Sequence, residues 1–176
     1  MAPLTLAHVV ISLVGIAAGF VVLFGMLGSK KMGGWTALFL AFTVLTSVTG
    51  YLFFPLQPLL PSHIVGAISL VLLAIAIYGL YSKHLAGGWR ATYVVTAVLS
   101  QYLNFFVLII QSFLKVPALH EAAPTQTETP FVAAQVLALL FFAVTGWMAV
   151  KRFHPAGQAG MGGSGGLQAR SASYGR

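Results

Sequence analysis

The sequence predicts an all-α membrane protein, a five-transmembrane-helix bundle made of a tandem two-helix hairpin repeat plus one helix. Of its 176 residues, 59% are hydrophobic and 6% are charged, against about 25% charged residues in soluble domains. Five apolar stretches reach the length of about 20 residues that a helix needs to cross a hydrocarbon core. The chain also lacks cysteine, which excludes disulfides and thiolate metal sites. These observations exclude an ordinary soluble enzyme.

Five spans follow from the apolar stretches, and none contains a charged residue between its ends. Strands are disfavoured because the stretches lack a period of two and are about twice as long as a barrel strand. The first stretch is too long for a signal-peptide core and no basic segment precedes it, so we expect it to be retained. The predicted spans cover residues 4–27, 35–54, 62–81, 91–114 and 131–150.

The ends of the chain divide into two predicted regions. Residues 1–154 form the transmembrane bundle. Residues 155–176 are rich in Gly and Ser and lack an apolar period, so a disordered cytoplasmic tail is expected there. The Gly-Gly-Ser-Gly-Gly run in this tail is also typical of a linker.

The cations predict the orientation of the bundle. Eight of the nine Lys and Arg residues follow the first, third or fifth span, whereas Lys115 and both acids, Glu121 and Glu128, lie on the other side. The positive-inside rule then places the N-terminus outside and the C-terminus in the cytoplasm. The net charge of +7 is explained by this asymmetry and calls for no nucleic-acid partner. The expected partners are the lipid bilayer and either another membrane protein or a second copy of the chain.

Two stretches of the chain are similar to each other. Residues 25–37 read GMLGSKKMGGWTA and residues 79–91 read GLYSKHLAGGWRA, so that the Gly-Gly-Trp triplets are 54 residues apart. His8 and His63, each near the start of a span, are 55 residues apart. This spacing predicts a duplicated hairpin whose two copies are related by an axis along the membrane normal. The alternative is convergence on an interfacial turn with an aromatic anchor.

Small and polar residues form stripes when each span is drawn at 100° per residue. Small residues allow close helix approach in lipid, and polar ones need partners away from hydrocarbon, so these stripes are predicted to face the bundle interior. The stripes comprise His8, Ser12, Gly15, Ala18 and Gly19 on the first span, His63, Gly66, Ala67, Ala74, Tyr78 and Tyr81 on the third, and Ser100, Gln101, Asn104, Gln111 and Lys115 on the fourth.

The fourth stripe has two interpretations. Its amides are either interhelical hydrogen-bonding groups or the lining of a polar path formed by Gln101, Asn104 and Gln111. The second interpretation predicts a small permease or channel. Against proton-coupled transport, no acidic or basic residue lies at mid-membrane.

His8 and His63 are the candidate cofactor ligands. A b-type haem needs two imidazoles at matching depth and small residues beside them, which Gly15 and Gly66 would supply. The alternatives are another metal ion, a quinone site and a purely structural role at the interface.

A metal site is a weaker candidate. It would add His120 and Glu121, with Glu128, from the outer loop to His8 and His63, and these ligand types suit zinc, copper or non-haem iron. No HExxH-type spacing supports them.

One run of sequence covers the end of the fourth span and the outer loop. It consists of Asn104–Phe113 (NFFVLIIQSF), followed by Lys115, by Pro117-Ala118-Leu119 and by Ala123-Pro124-Thr125-Gln126. This run resembles an uncharacterised family of small bacterial inner-membrane proteins, and the similarity extends over most of the five spans. It implies a bacterial cytoplasmic membrane location and no particular activity.

These features together predict an integral membrane binding or accessory protein, such as a subunit of a larger membrane assembly. Its expected site, for haem b, a metal ion or a quinone, lies near the outer face. The alternative is the permease or channel. Enzymatic catalysis is not expected, because both acids lie in one loop and no nucleophile motif occurs, although a redox role stays open.

Overall fold

Six helices form in the computed structural model, which describes residues 3–53 and 61–155. Five of them are long and apolar enough to cross a membrane, which confirms the five predicted helices and makes the chain a candidate multi-pass membrane protein. Most of the predicted tail lies outside the described residues. The helices are α1 (Pro3–Leu27), α2 (Gly33–Phe53), α3 (Pro61–Ile77), α4 (Trp89–Lys115), the short α5 (Pro117–Ala122) and α6 (Thr129–Arg152), and a π-helical turn at Tyr78–Ser82 continues α3.

The α4 helix is the centre of the bundle, because it packs against α1, α2, α3 and α6. The α1–α2 and α3–α4 hairpins lie side by side through α2 and α3, and α6 packs on α4 and α1. We call the end where α1 and α3 begin the histidine end, since it carries His8 and His63. The other end, where α1 and α3 finish, is the lysine end, since it carries Lys30 and Lys31.

Aromatic rings join three of the helices. The Phe20 ring of α1 meets the Phe105 ring of α4 edge-on at 5.6 Å between centroids, and it lies 5.8 Å from the Phe142 ring of α6. Such ring pairs add about 0.5–1.5 kcal/mol beyond their buried area. They therefore fix α6, the helix outside the two hairpins, against the first and second hairpin at once.

Glycines on α1 allow its close approach to neighbouring helices. A Cβ atom at Gly15 would lie 3.4 Å from the backbone of Phe42 in α2, and one at Gly19 would overlap the side-chain amide of Gln101 in α4. Ala18 between them is 1% exposed. The inward stripe predicted for the first span is therefore confirmed along this part of α1.

The stripe predicted for the third span is wrong over most of its length. Ala67, Ala74, Tyr78 and Tyr81 are exposed. The buried residues of α3 and its extension are instead His63, Ser69, Leu73, Ala76 and Gly79. Two physical reasons account for the error: α3 is apolar all round, so its pattern does not separate lipid from core, and the π-helical turn shifts the register of the last residues.

Candidate functional site

Two residues near the end of α2 contact the two predicted histidines. His8, near the start of α1, contacts Thr49, and His63, near the start of α3, contacts Tyr51. These two α2 residues are separated by Gly50, over which the His8 ring lies, with Cε1 at 3.7 Å from the position of a Cβ atom there. The structure thus brings the two histidines to one helix end, on contacts from neighbouring α2 residues.

A hydrogen bond orients the His8 ring. Its Nδ1 lies 2.8 Å from the Thr49 hydroxyl, which also lies 2.7 Å from the Leu45 carbonyl. Because a hydroxyl has one proton, Thr49 either donates it to the carbonyl and accepts from Nδ1–H, or donates it to Nδ1. Ligating histidines are oriented by a hydrogen bond of this kind at the second ring nitrogen.

His63 is more deeply buried, at 5% exposure. The Tyr51 ring stacks on its imidazole with centroids 5.5 Å apart and planes 24° apart. The Tyr51 hydroxyl donates to the His63 backbone carbonyl, which lies in the first turn of α3. Two contacts from one tyrosine therefore fix both the ring and the backbone of His63.

The small residues expected to make room for a haem have another use. Gly15 receives the α2 backbone, and Gly66 receives the Tyr51 ring, whose Cε2 would lie 3.4 Å from a Cβ atom there. The Ser12 hydroxyl donates to the His8 carbonyl within α1. Helix packing therefore takes the space that a macrocycle would need at these residues, and they do not fit a haem in this conformation.

The predicted metal ligands of the outer loop, His120 and Glu121, are distant in sequence from His8 and His63. His120 and Glu121 are exposed on α5, and within residues 3–53 and 61–155 no group of three or more His, Asp or Glu residues is placed to hold a metal ion. A metal site at His120 and Glu121 therefore stays a prediction. No third ligand for it is identified among the described residues.

Glu128 instead organises the start of α6. Its carboxylate accepts hydrogen bonds from the Thr125 N–H at 3.1 Å, the Thr125 hydroxyl at 2.9 Å and the Thr127 N–H at 3.0 Å. Desolvation alone would raise the pKa of Glu128, but backbone and side-chain hydrogen bonds to the charged form outweigh it and lower the pKa. The Glu128 carboxylate therefore stabilises the turn that precedes α6.

The three amides of the predicted polar path do not share one environment. Gln101 is 2% exposed and donates from Nε2 to the Ile16 carbonyl of α1 at 2.8 Å. Asn104 is half-buried, with Nδ2 3.4 Å from the Thr43 hydroxyl of α2. Gln111, however, is exposed. Two of the amides therefore act as interhelical contacts, and the permease alternative gains no support from them.

Thr49 and Tyr51 are the residues of this site that sequence analysis missed. Both lie in the last turns of a span whose apolar pattern gives no sign of their partners. A weak signal was present, because Tyr51 and His63 flank the short connection between two adjacent antiparallel spans. Such residues meet when the connection is short.

Comparison with known protein families, curated proteins and solved structures finds no match for the chain. Its function therefore has to be argued from the geometry of its own residues.

Proposed function

We propose that the protein is an integral membrane binding or accessory protein whose ligand site lies at the histidine end. The observation that carries this proposal is that His8 and His63, near the starts of two different helices, both contact the end of α2, His8 through the 2.8 Å hydrogen bond between its Nδ1 and the Thr49 hydroxyl. His63, held by Tyr51 on the same turn of α2, is the second polar group of the site.

The imidazoles and the packing around them select the ligand chemistry. An imidazole can hydrogen-bond the polar groups of a quinol, whereas the close packing around Gly15 and Gly66 leaves no room for the larger haem. A quinol presents one flat ring with hydroxyl groups and an apolar tail that lipid accommodates. We therefore favour a quinol head group at His8.

Spectroscopy and extraction of the purified protein test this proposal. The protein is purified in mild detergent from haem-replete, quinone-replete cells, its visible spectrum is recorded, and bound quinone is extracted and quantified. We expect near-stoichiometric quinone in the unmodified chain and at least about fivefold weaker binding in His8→Ala, since a lost polar partner costs roughly 1–3 kcal/mol. The Thr49→Val variant should give an intermediate loss.

His154→Ala is the matched control, because His154 is exposed at the lysine end. It should retain the bound quinone. A Soret band that disappears in His8→Ala would assign haem instead of quinol to the same site. A colourless preparation without quinone, or equal loss in the control, would overturn the proposal.

The finer assignments of orientation and origin belong to the same proposal. The cations at the lysine end support a cytoplasmic location for that end in a bacterial inner membrane, with the N-terminus outside. The two Gly-Gly-Trp stretches support a duplicated hairpin. Reporter fusions at Met1 and at the C-terminus test the orientation, and an active cytoplasmic reporter at Met1 would contradict it.

An accessory role is supported by the outward surface of α6. Leu137, Leu140, Val144 and Trp147 are each more than half exposed. Lipid covers such a surface in a monomer, and a partner helix covers it in an assembly. The mass of the particle in gentle detergent distinguishes these cases: a fixed-ratio complex supports the accessory role, and a monomer supports a free-standing binding protein.

A further inference from the structure

A cavity of about 250 Å³ lies at the lysine end, at the opposite end of the bundle from the two histidines. It is formed where α1 finishes, α2 and α4 begin, and the π-helical turn follows α3. Its lining includes the lysines Lys30 and Lys31, the hydroxyl groups of Thr36, Tyr81 and Tyr93, and an apolar wall of Val22, Met26, Met32, Leu80 and Phe153.

The lining is polarised from rim to floor. Lys30, Lys31 and Tyr81 are exposed, whereas Tyr93 is 2% exposed and Thr36 is 6% exposed. The cavity therefore has ammonium groups at its opening and buried hydroxyl groups at its inner end. A ligand that enters it loses contacts with water and gains contacts with two cations and with hydroxyl groups.

The charge at this end has one sign. The only two acids of the chain, Glu121 and Glu128, lie in the connection between α4 and α6 at the histidine end. Two other cations at the lysine end contact protein groups: Arg90 donates to backbone carbonyls, and Lys151 lies 3.9 Å above the Trp147 ring. Lys30 and Lys31 instead line the cavity, where their charges attract an anion.

The volume restricts the size of that anion. Pockets that enclose a whole drug-sized ligand measure about 300–1,000 Å³, so this cavity suits a smaller group. It has room for roughly eight water molecules at about 30 Å³ each, which is enough for a phosphate and a few further atoms. Basic pockets between transmembrane helices commonly bind acidic lipid head groups.

We propose that this cavity binds the phosphate group of a small anionic molecule, either a membrane phospholipid or a water-soluble phosphate ester. Lys30 and Lys31 neutralise the phosphate at the rim. Thr36 and Tyr93 form a hydrogen-bonded pair at the floor, and the hydroxyl proton that the pair does not use internally is donated to the phosphate. The apolar wall beside them contacts the adjoining carbon chain. The site is independent of the quinol site at His8.

Binding to the purified protein in uncharged detergent tests the proposal without a charged bilayer. Native mass spectrometry measures the affinity for phosphatidylglycerol and for phosphatidylcholine. The shift in unfolding temperature measures the binding of glycerol phosphate and of inorganic phosphate. The double variant Lys30→Gln/Lys31→Gln should weaken phosphatidylglycerol binding by about 25-fold, from about fivefold per lysine. Tyr93→Phe should weaken it by a few-fold.

Lys83→Gln/Lys151→Gln is the matched control, because it removes two charges from the same end but outside the cavity lining. It should change the affinity by less than about twofold. Preferential binding of phosphatidylglycerol assigns the lipid as the source, and binding of glycerol phosphate alone assigns a soluble ester. Equal weakening in both double variants, or binding of none of the four probes, would overturn the proposal.

Discussion

The two Gly-Gly-Trp connections at the lysine end have similar sequences and different structures. After α1, the chain turns through a Schellman motif, in which the Lys30 N–H donates to the Gly25 carbonyl at 2.9 Å and the Ser29 N–H to the Met26 carbonyl at 3.0 Å. Ser29 has the left-handed conformation with φ of 56°.

After α3, the same pattern is closed by a wider turn. The Lys83 N–H donates to the Tyr78 carbonyl at 3.1 Å in the π-helical turn, and His84, Leu85 and Gly87 all have positive φ. The Trp89 ring packs edge-on against the Tyr78 ring at 5.2 Å, whereas Trp35 of the first connection is 47% exposed. Similar residues thus leave one tryptophan exposed and bury part of the other.

The residue after each tryptophan carries the functional difference. In the first connection it is Thr36, a small residue that lines the cavity. In the second it is Arg90, whose Nη1 donates to the carbonyls of Val150 and Phe153 at 2.7 and 2.9 Å. One hairpin therefore keeps space for a ligand, and the other uses its cation to cap α6.

The largest effect is expected at Arg90. Arg90→Gln leaves two carbonyls at the end of α6 without their charged donor, so we expect the free energy of unfolding to fall by about 2–3 kcal/mol. Thermal unfolding in detergent measures the change. Arg152→Gln serves as the control, since Arg152 is exposed at the same end, and a similar loss in that variant would show that charge alone matters.

A second substitution tests the contact between the two hairpins. Gly19→Ala places a Cβ atom on the Gln101 side chain, so it should break the hydrogen bond to Ile16 and lower the free energy of unfolding by about 1–3 kcal/mol. Gly34→Ala is the matched control, because no neighbouring atom lies within 4 Å of its Cβ position. Equal stability of the two variants in a denaturant titration would contradict this close contact.

Gly25 and Gly79 occupy equivalent positions in the two connections, so the same substitution can be compared at both. A Cβ atom at Gly25 would lie 2.4 Å from Cγ of Met32, whereas one at Gly79 would make ordinary contacts of 3.4 Å or more. Gly25→Ala should therefore cost about 1 kcal/mol and push Met32 into the cavity. Gly79→Ala should change stability by less than about 0.5 kcal/mol.

Binding of a phosphate ester tests whether Met32 enters the cavity in Gly25→Ala. Gly25→Ala should weaken it relative to the unmodified chain, while Gly79→Ala should leave it unchanged. Equal effects of the two substitutions would show that the two connections are interchangeable, and the opposite ranking, in stability or in binding, would contradict the predicted difference.

The smallest effect is expected in the connection at the histidine end. Because hydrogen bonds lower the pKa of Glu128, its carboxylate stabilises the Thr125–Glu128 turn above the ordinary value of 4.5, and this stabilisation is lost as the pH falls through the lowered value. NMR shifts of the Thr125 and Thr127 amides should follow this titration. Glu128→Gln should abolish the pH dependence, and an unchanged titration in that variant would assign it to another group.

The sequence by itself determined the five long helices, because apolar length is a local property that needs no neighbour. It also indicated the glycine face of α1 and the two histidines at one end, since both follow from position along a helix of known period. The cations at the lysine end were equally visible, because charged residues interrupt the apolar stretches.

Only the tertiary structure decided which polar side chains meet. Gln101 faces α1 while Gln111 is exposed, and the burial of His63 depends on Tyr51 of the preceding helix. The inward face of α3 and the roles of Thr36 and Arg90 were hidden for the same reason. In an apolar chain, helix pattern separates lipid from core poorly, and the choice is made by contacts between residues that are distant in sequence.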